Sequence, residues 1–134
     1  MNSRRKYLSN YTILYVEDEE MIRDYLKKML SRFVKEIITA RDGKDGYEKA
    51  KQYKPDIILT DINMPNLNGL NMVKKLQEEG FNFPVVVTTA HNDQNFFMES
   101  IELGIQRYIM KPISLVESSD LFEISTTVEK RRYG

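Results

Sequence analysis

Residues 56–65 read DIILTDINMP, an apolar run that ends at Asp61 and meets a turn proline, Pro65, shortly afterwards. An apolar run without polar alternation, bounded by a turn signal, is typical of a strand that is buried on both faces of a parallel sheet. Ligands of open parallel sheets bind beyond the carboxyl ends of the strands. We therefore expect Asp61 to point into a crevice and to be the first candidate for chemistry.

Strand-like and helix-like patterns alternate along the whole chain. The predicted strands are residues 12–16, 36–40, 56–60, 83–88 and 106–110. The predicted helices are a segment with Ile22, Leu26, Met29 and Phe33 at helical spacing, supported by Tyr25 and Leu30, then residues 46–53, 70–79 before a Gly80 stop, 96–103, and a weak one over 115–132. This alternation predicts an α/β fold of three layers, with a five-stranded parallel sheet flanked by five helices.

Composition limits the domain organisation and the classes of function. At 134 residues the chain has room for one domain, which we place at residues 11–132 behind an N-terminal tail of residues 1–10. Twenty basic residues balance twenty acidic ones, so no electrostatic footprint for nucleic acid is present. The chain has no cysteine and no apolar stretch near the roughly 20 residues that span a bilayer. We expect a cytoplasmic protein with no direct nucleic-acid or membrane contact.

Chemically active side chains follow four of the five predicted strands. Glu17 and Asp18 follow the first strand, Asp61 the third, Thr88-Thr89-Ala90 the fourth and Lys111-Pro112 the fifth. Carboxylates about 4 Å apart repel by roughly 4 kcal/mol per pair at an effective dielectric near 20, so such a cluster requires a counter-charge. Lys111 supplies one. The all-oxygen donor set favours Mg²⁺ over Zn²⁺ as a second.

An ionised aspartate beside Mg²⁺, a lysine and a hydroxyl has the groups needed to accept a phosphoryl group. The chain resembles the receiver domain of two-component response regulators from about Thr12 to about Pro112. The resemblance depends on the joint order and spacing of Glu17-Asp18, Asp61 with Met64-Pro65, Thr89-Ala90, Tyr108 and Lys111-Pro112. It implies a flavodoxin-like fold with strand order 2-1-3-4-5, the arrangement of the chemotaxis member of this family.

The resemblance also implies roles for individual residues. Asp61 would be the phospho-acceptor, and Lys111 would be the lysine that pairs with it. Asp18 would bind Mg²⁺ directly, Glu17 would act on the metal through water, and Asn63 would offer its backbone carbonyl to the metal. Thr89 would be the hydroxyl that moves to the phosphoryl group, and Tyr108 the aromatic that turns inward in response. The bond before Pro112 is often cis in the family. The protein would be a signalling switch whose only chemistry is its own phosphotransfer and autodephosphorylation.

Partners follow from the same resemblance. The phosphoryl donor would be a sensor histidine kinase or a phosphotransfer protein. An output domain or a partner protein would dock on the face made by helix 4, strand 5 and helix 5. Few residues follow Pro112, so the chain is either a stand-alone receiver or a piece of a longer regulator. The charged segment of residues 128–132 suits a helix that runs on into a linker, which favours the second possibility.

Two positions near the predicted site vary in the family and tune the lifetime of the phosphate. They correspond to Asn63 and His91, each two residues beyond a predicted site residue. We predict that His91→Ala changes the rate at which the phosphorylated form decays, measured as loss of the phosphorylated mass with time. An unchanged lifetime would contradict this role. The other departure, Glu17 where aspartate is commoner, lengthens the side chain by one methylene and keeps its charge.

Other interpretations remain open at this point. Taken singly, Asp61 could cap a turn, residues 17–20 could be acids at a helix start, and Tyr108 could be static packing. A haloacid-dehalogenase phosphatase also uses an aspartate at a strand end, but it needs a second aspartate where this chain has Asn63. A pseudo-receiver would lack the acceptor or the acids. A dinucleotide-binding domain would need a glycine-rich turn after Val16, where four acidic residues stand instead.

Overall fold

The computed structural model describes residues 8–90, 96–105, 107–114, 120 and 123–128. The strands are β1 (Thr12–Val16), β2 (Glu36–Ala40), β3 (Ile57–Asp61), β4 (Val85–Thr89) and β5 (Arg107–Met110). The helices are α1 (Glu20–Leu30), α2 (Gly43–Tyr53), α3 (Gly69–Glu78) and α4 (Phe97–Glu102), and residues 123–128 form the described part of α5. Within these ranges no helix is both long and apolar enough to cross a membrane.

The five strands form one parallel sheet in the order β2-β1-β3-β4-β5, which confirms the predicted fold. All five residues of β3 are buried, as the unbroken apolar run indicates. Ile57 and Leu59 pack on one face with residues of α1 and α5, whereas Ile58 packs on the other face with residues of α2 and α3. Burial on both faces leaves only the ends of β3 open, and Asp61 stands at the carboxyl end.

Several boundaries differ from the predicted ones for local reasons. β3 runs one residue further, because Asp61 pairs with Thr88 of β4. β4 begins at Val85 and not at Phe83, since Pro84 has no N–H for the ladder. Helix α2 begins at Gly43, three residues before the predicted start, because Asp42 caps it through a hydrogen bond from the Asp45 N–H of 2.8 Å.

The apolar pattern of α1 predicts its buried face only in part. Leu26 and Leu30 are buried in the core, whereas Ile22 and Tyr25 are 41% and 61% exposed. Phe33 lies beyond the end of the helix and still packs against the core. The helical period therefore continues in sequence past the point where the helix stops.

The segment that we expected to be an N-terminal tail contributes to the core. Leu8 is fully buried, and its carbonyl accepts a hydrogen bond from the Tyr11 N–H at 3.1 Å. It packs in the same cluster as Ile124 and Val128 of α5. The folded part therefore includes at least Leu8, while the boundary at residue 132 stays a prediction.

Two helices begin in close contact with neighbouring backbone at the carboxyl edge of the sheet. A Cβ atom on Gly43 would overlap the carbonyl oxygen of Leu67, and one on Gly69 would overlap that of Asp61. Only glycine lets the chain approach this closely. The start of α2 therefore lies directly against the loop of residues 62–68, and the start of α3 lies against the backbone of Asp61.

Candidate functional site

Three acidic side chains meet at the carboxyl ends of β1 and β3, which are neighbours in the sheet. Carboxylate oxygens of Glu17, Asp18 and Asp61 all lie within 4.8 Å of one another. Glu17 is 1% exposed and Asp61 5% exposed, whereas Asp18 is exposed. Glu17 and Asp61 are thus buried beside the exposed Asp18, and we call this cluster of three acids the acid pit.

Lys111 reaches this pit from β5, although β4 lies between β5 and β3. Its Nζ atom lies 2.7 Å from Oδ2 of Asp61 and 3.5 Å from Oε1 of Glu17. The peptide bond from Lys111 to Pro112 is cis, as the resemblance to the receiver family implies. The Lys111 ammonium alone does not balance three ionised carboxylates, so the pit is a candidate site for a further cation.

Hydrogen bonds fix the two buried carboxylates. Oδ1 of Asp61 accepts from the Ile62 N–H at 2.8 Å, and Oε2 of Glu17 accepts from the Glu19 N–H at 3.1 Å. Each buried acid is thereby held by a backbone N–H one or two residues further along the chain. Their oxygens keep a defined direction even without a bound ion.

Two further residues support Glu17 and were missed in the sequence. Arg23 donates from Nη1 to the backbone carbonyl of Glu17 at 2.8 Å. The hydroxyl of Tyr15, a fully buried side chain, lies 3.5 Å from Oε1 of Glu17. Strand alternation contained a signal for Tyr15, because residues two apart on a strand share one face.

Burial controls the protonation of the cluster. Burial raises the pKa of Asp61 above its ordinary value, although the hydrogen bond and charge of Lys111 oppose this. Burial also raises the pKa of Glu17, against the hydrogen bond from the Glu19 N–H and the charge of Lys111. For Lys111, burial alone would lower the pKa, but the hydrogen bond to Asp61 and the nearby acids raise it overall. The lysine therefore stays charged beside the acids.

The donor set fits a hard divalent cation. The clustered ligand atoms are carboxylate oxygens, with no histidine or cysteine among them. Oxygen ligands of this type suit Mg²⁺, which binds through one or two carboxylates and retains water. Asn63 lies two residues after Asp61 in the same loop and is exposed.

The remaining predicted residues lie around this cluster. Thr89 ends β4 and is half-buried; its hydroxyl donates to the Ala90 carbonyl at 2.9 Å, and its own carbonyl accepts from the Lys111 N–H at 2.8 Å. The neighbouring Thr88 is fully buried and pairs with Asp61 in the sheet. The backbone of the β4 end is thus tied to the residue that carries the ammonium.

Tyr108 lies on β5, outside the acid cluster. Its half-buried side chain donates from the hydroxyl to the Ile105 carbonyl at 2.9 Å and contacts the Ser100 hydroxyl at 2.7 Å. These contacts connect β5 to the end of α4. His91, predicted to affect the phosphate lifetime, lies outside the described residues.

Residues 13–123 match the family of the response regulator receiver domain. The chain belongs to this family. It is 33% identical over 101 residues to the chemotaxis protein CheY of Thermotoga maritima, an alignment that covers 75% of this chain and 84% of that protein. The receiver domain is therefore the module to which the acid pit belongs.

Two further relatives show the range of this family. The chain is 37% identical over 105 residues to the alkaline phosphatase synthesis transcriptional regulatory protein PhoP of Bacillus subtilis, covering 78% of this chain but only 44% of that protein. Among solved structures, the N-terminal domain of an uncharacterized protein from Wolinella succinogenes has a TM-score of 0.78 and 31% identity, with 93% of this chain and 98% of that chain covered. This receiver domain thus spans less than half of PhoP.

The family and fold predicted from the strand ends are confirmed. The chain is a receiver domain of the two-component response regulators, a module of phosphorylation-dependent signalling. The match favours this family over the phosphatase and the dinucleotide-binding domain that the sequence left open.

Proposed function

We propose that Asp61 accepts a phosphoryl group from a sensor histidine kinase or a phosphotransfer protein, with Mg²⁺ as the cofactor. The observation that carries this proposal is the environment of one carboxylate. Asp61 is buried, lies 2.7 Å from the Lys111 ammonium and has two further acids within 4.8 Å. A buried acid in this setting is suited to react as a nucleophile beside a cation.

The reaction forms one bond and breaks one. An oxygen of Asp61 attacks the phosphorus, and the bond from phosphorus to the donor atom breaks, with its electron pair leaving on the donor. Lys111 already contacts one oxygen of Asp61 and can neutralise charge on the phosphoryl oxygens. When bound, Mg²⁺ supplies further positive charge there, with Asp18, Asp61 and Glu17 as its acidic partners and the Asn63 backbone carbonyl as another ligand.

The signal is a change of population between two conformations. In the present state the Thr89 hydroxyl donates to the Ala90 carbonyl, which is a neutral acceptor. A phosphoryl oxygen is a charged and stronger acceptor, so Thr89 turns toward it in the phosphorylated state. Tyr108 then exchanges its contacts with Ser100 and Ile105 for an inward position.

The surface that changes lies around α4 and β5. Met98, Ile101 and Met110 are 67%, 49% and 47% exposed there. We propose that an output domain or a partner protein binds this face together with α5. The protein acts in the cytoplasm, without direct contact with nucleic acid or membrane.

Phosphorylation by a small donor tests the proposed function. The protein is incubated with acetyl phosphate and Mg²⁺, and its intact mass is measured. We expect a gain of one phosphoryl group that maps to Asp61 and does not occur when excess chelator is present from the start. No modification would indicate a pseudo-receiver. Modification elsewhere, or steady turnover of varied phosphomonoesters, would also contradict the proposal.

NMR signals of Thr89 and Tyr108 should shift in the phosphorylated form, and unchanged signals would contradict the switch.

A further inference from the structure

A fourth acid lies at the same edge of the sheet but outside the acid pit. Asp42 follows β2 and is 8% exposed. Both of its carboxylate oxygens are used: Oδ1 accepts from the Asp45 N–H and Oδ2 from Nδ2 of Asn66, each at 2.8 Å. Capping α2 needs only the first of these bonds. The second connects α2 to a distant part of the chain.

That distant part is the loop of residues 62–68, between the proposed phospho-acceptor and α3. Hydrogen bonds inside the loop run from the Gly69 N–H to the Ile62 carbonyl and from the Leu67 N–H to the Pro65 carbonyl, each at 2.8 Å. Asn66 has a φ of 70°, in the left-handed region that asparagine tolerates. The same loop carries Asn63, whose backbone carbonyl is the proposed metal ligand.

A second contact lies beside the Asp42–Asn66 hydrogen bond. The backbone of Gly43, the next residue after Asp42, approaches the Leu67 carbonyl so closely that no Cβ would fit. The loop is thus held against the start of α2 at two adjacent points. Asn68 in the same loop offers a contrast, because it caps α3 through the Asn71 N–H and shows the geometry of a cap alone.

The Asp42 side chain is a charged acceptor. Burial alone would raise its pKa, but the hydrogen bonds from the Asp45 N–H and from Asn66 lower it below the ordinary value. Hydrogen bonds to an ionised acceptor are roughly twice as strong as neutral ones. The Asp42–Asn66 hydrogen bond is therefore strong enough to restrain a loop.

We propose that Asp42 and Asn66 are positioning residues that hold the 62–68 loop, and with it the Asn63 backbone, in a single conformation at the edge of the acid pit. Neither side chain belongs to the acid cluster, so both act through the backbone that they restrain. The consequence for metal binding rests on the proposed function. The restraint of the loop does not.

Two substitutions remove the hydrogen bond from opposite sides. Asn66→Gly deletes the amide and keeps the left-handed backbone accessible. Asp42→Ser keeps an oxygen that can cap α2 and is too short to serve both donors. In the metal-free protein, we expect faster hydrogen exchange at the Gly69 and Leu67 amides in each variant. The dissociation constant for Mg²⁺, measured by titration calorimetry, should rise about tenfold.

A double substitution separates this role from simple capping. If the bond is the cause, Asp42→Ser in the Asn66→Gly background should weaken Mg²⁺ binding no further. Asn68→Gly is the matched control, because it removes a cap from the same loop without touching the bond, and its effect should add to that of Asp42→Ser. Unchanged exchange and Mg²⁺ affinity in Asn66→Gly would overturn the proposal, as would independent effects of the two substitutions. If Asp61 takes up no phosphoryl group, the proposed function fails, and the exchange rates still decide whether the bond restrains the loop.

Discussion

Asp61→Asn is expected to take up no phosphoryl group from acetyl phosphate in the presence of Mg²⁺. The substitution keeps the size of the side chain and removes its negative charge, so the nucleophile is lost together with the ion pair to Lys111 at 2.7 Å. Intact-mass measurement under conditions that modify the natural protein completely would show only the unmodified mass. Glu17 is not expected to substitute, because its Oε1 lies 3.5 Å from the Lys111 Nζ, against 2.7 Å for Asp61, and its side chain is almost fully buried.

Asp56→Asn is the matched control for this substitution. Asp56 comes directly before β3, whereas Asp61 is its last residue. The carboxylate of Asp56 accepts a hydrogen bond from the Thr12 N–H at 2.8 Å, at the opposite edge of the sheet. This variant should take up phosphate as the natural protein does. Uptake by Asp61→Asn at the natural rate would show that the phosphate is carried elsewhere, and the proposed function would then be wrong.

Lys111→Met is expected to slow phosphoryl uptake and to lower the stability of the metal-free protein. Loss of one preorganised cationic donor lowers rates by about 10²- to 10³-fold. The free energy of unfolding should fall by about 3 kcal/mol, because two buried carboxylates lose their ammonium partner. Saturating Mg²⁺ should restore part of this stability, since an ion that binds only the folded state stabilises it. Denaturant unfolding with and without Mg²⁺ measures both effects.

Lys51→Met provides the comparison for Lys111→Met. Lys51 pairs with Glu79 at 2.9 Å, a distance close to that of the Lys111 pair, but both side chains are about one-third exposed. The side chains of the two partners of Lys111, Glu17 and Asp61, are only 1% and 7% exposed. Water screens the charges of exposed pairs, so Lys51→Met should change stability little and phosphoryl uptake not at all. Equal losses in the two variants would contradict the assignment of Lys111 to the site.

The predicted strands agree with the structure most closely where charged residues interrupt apolar runs. β1 and β2 have the predicted bounds, because Glu17 and Arg41 end their runs sharply. Helix α2 begins three residues before its predicted start. Gly43 looks like a helix breaker in the sequence, and the reason for a glycine there is the carbonyl of Leu67, which is distant along the chain. Local patterns contain no information about such a contact.

In the candidate site, too, the sequence predicts some features and contains no signal for others. The order of Glu17, Asp18, Asp61 and Lys111 along the chain was enough to predict a cluster, since the carboxyl ends of parallel strands share one edge. The role of Asp42 was not predicted, because its partner, the amide of Asn66, lies in a distant segment of the chain. Tyr15 lies two residues before its partner Glu17, so strand alternation could have indicated that contact. A hydrogen bond between distant segments has no periodic trace in the sequence.

The amino-acid sequence by itself determined the α/β class, the strand ends that carry the chemistry and the family to which the chain belongs. These depend on local periodicity and on the order of side chains, both of which are written along the chain. Only the tertiary structure decided that Glu17 and Asp61 are buried while Asp18 is exposed, that Lys111 reaches past β4, and that Asp42 accepts a hydrogen bond from Asn66 in the loop after Asp61. Burial and hydrogen-bond partners depend on residues brought together from distant segments, so they exist only once the sheet and its helices have packed.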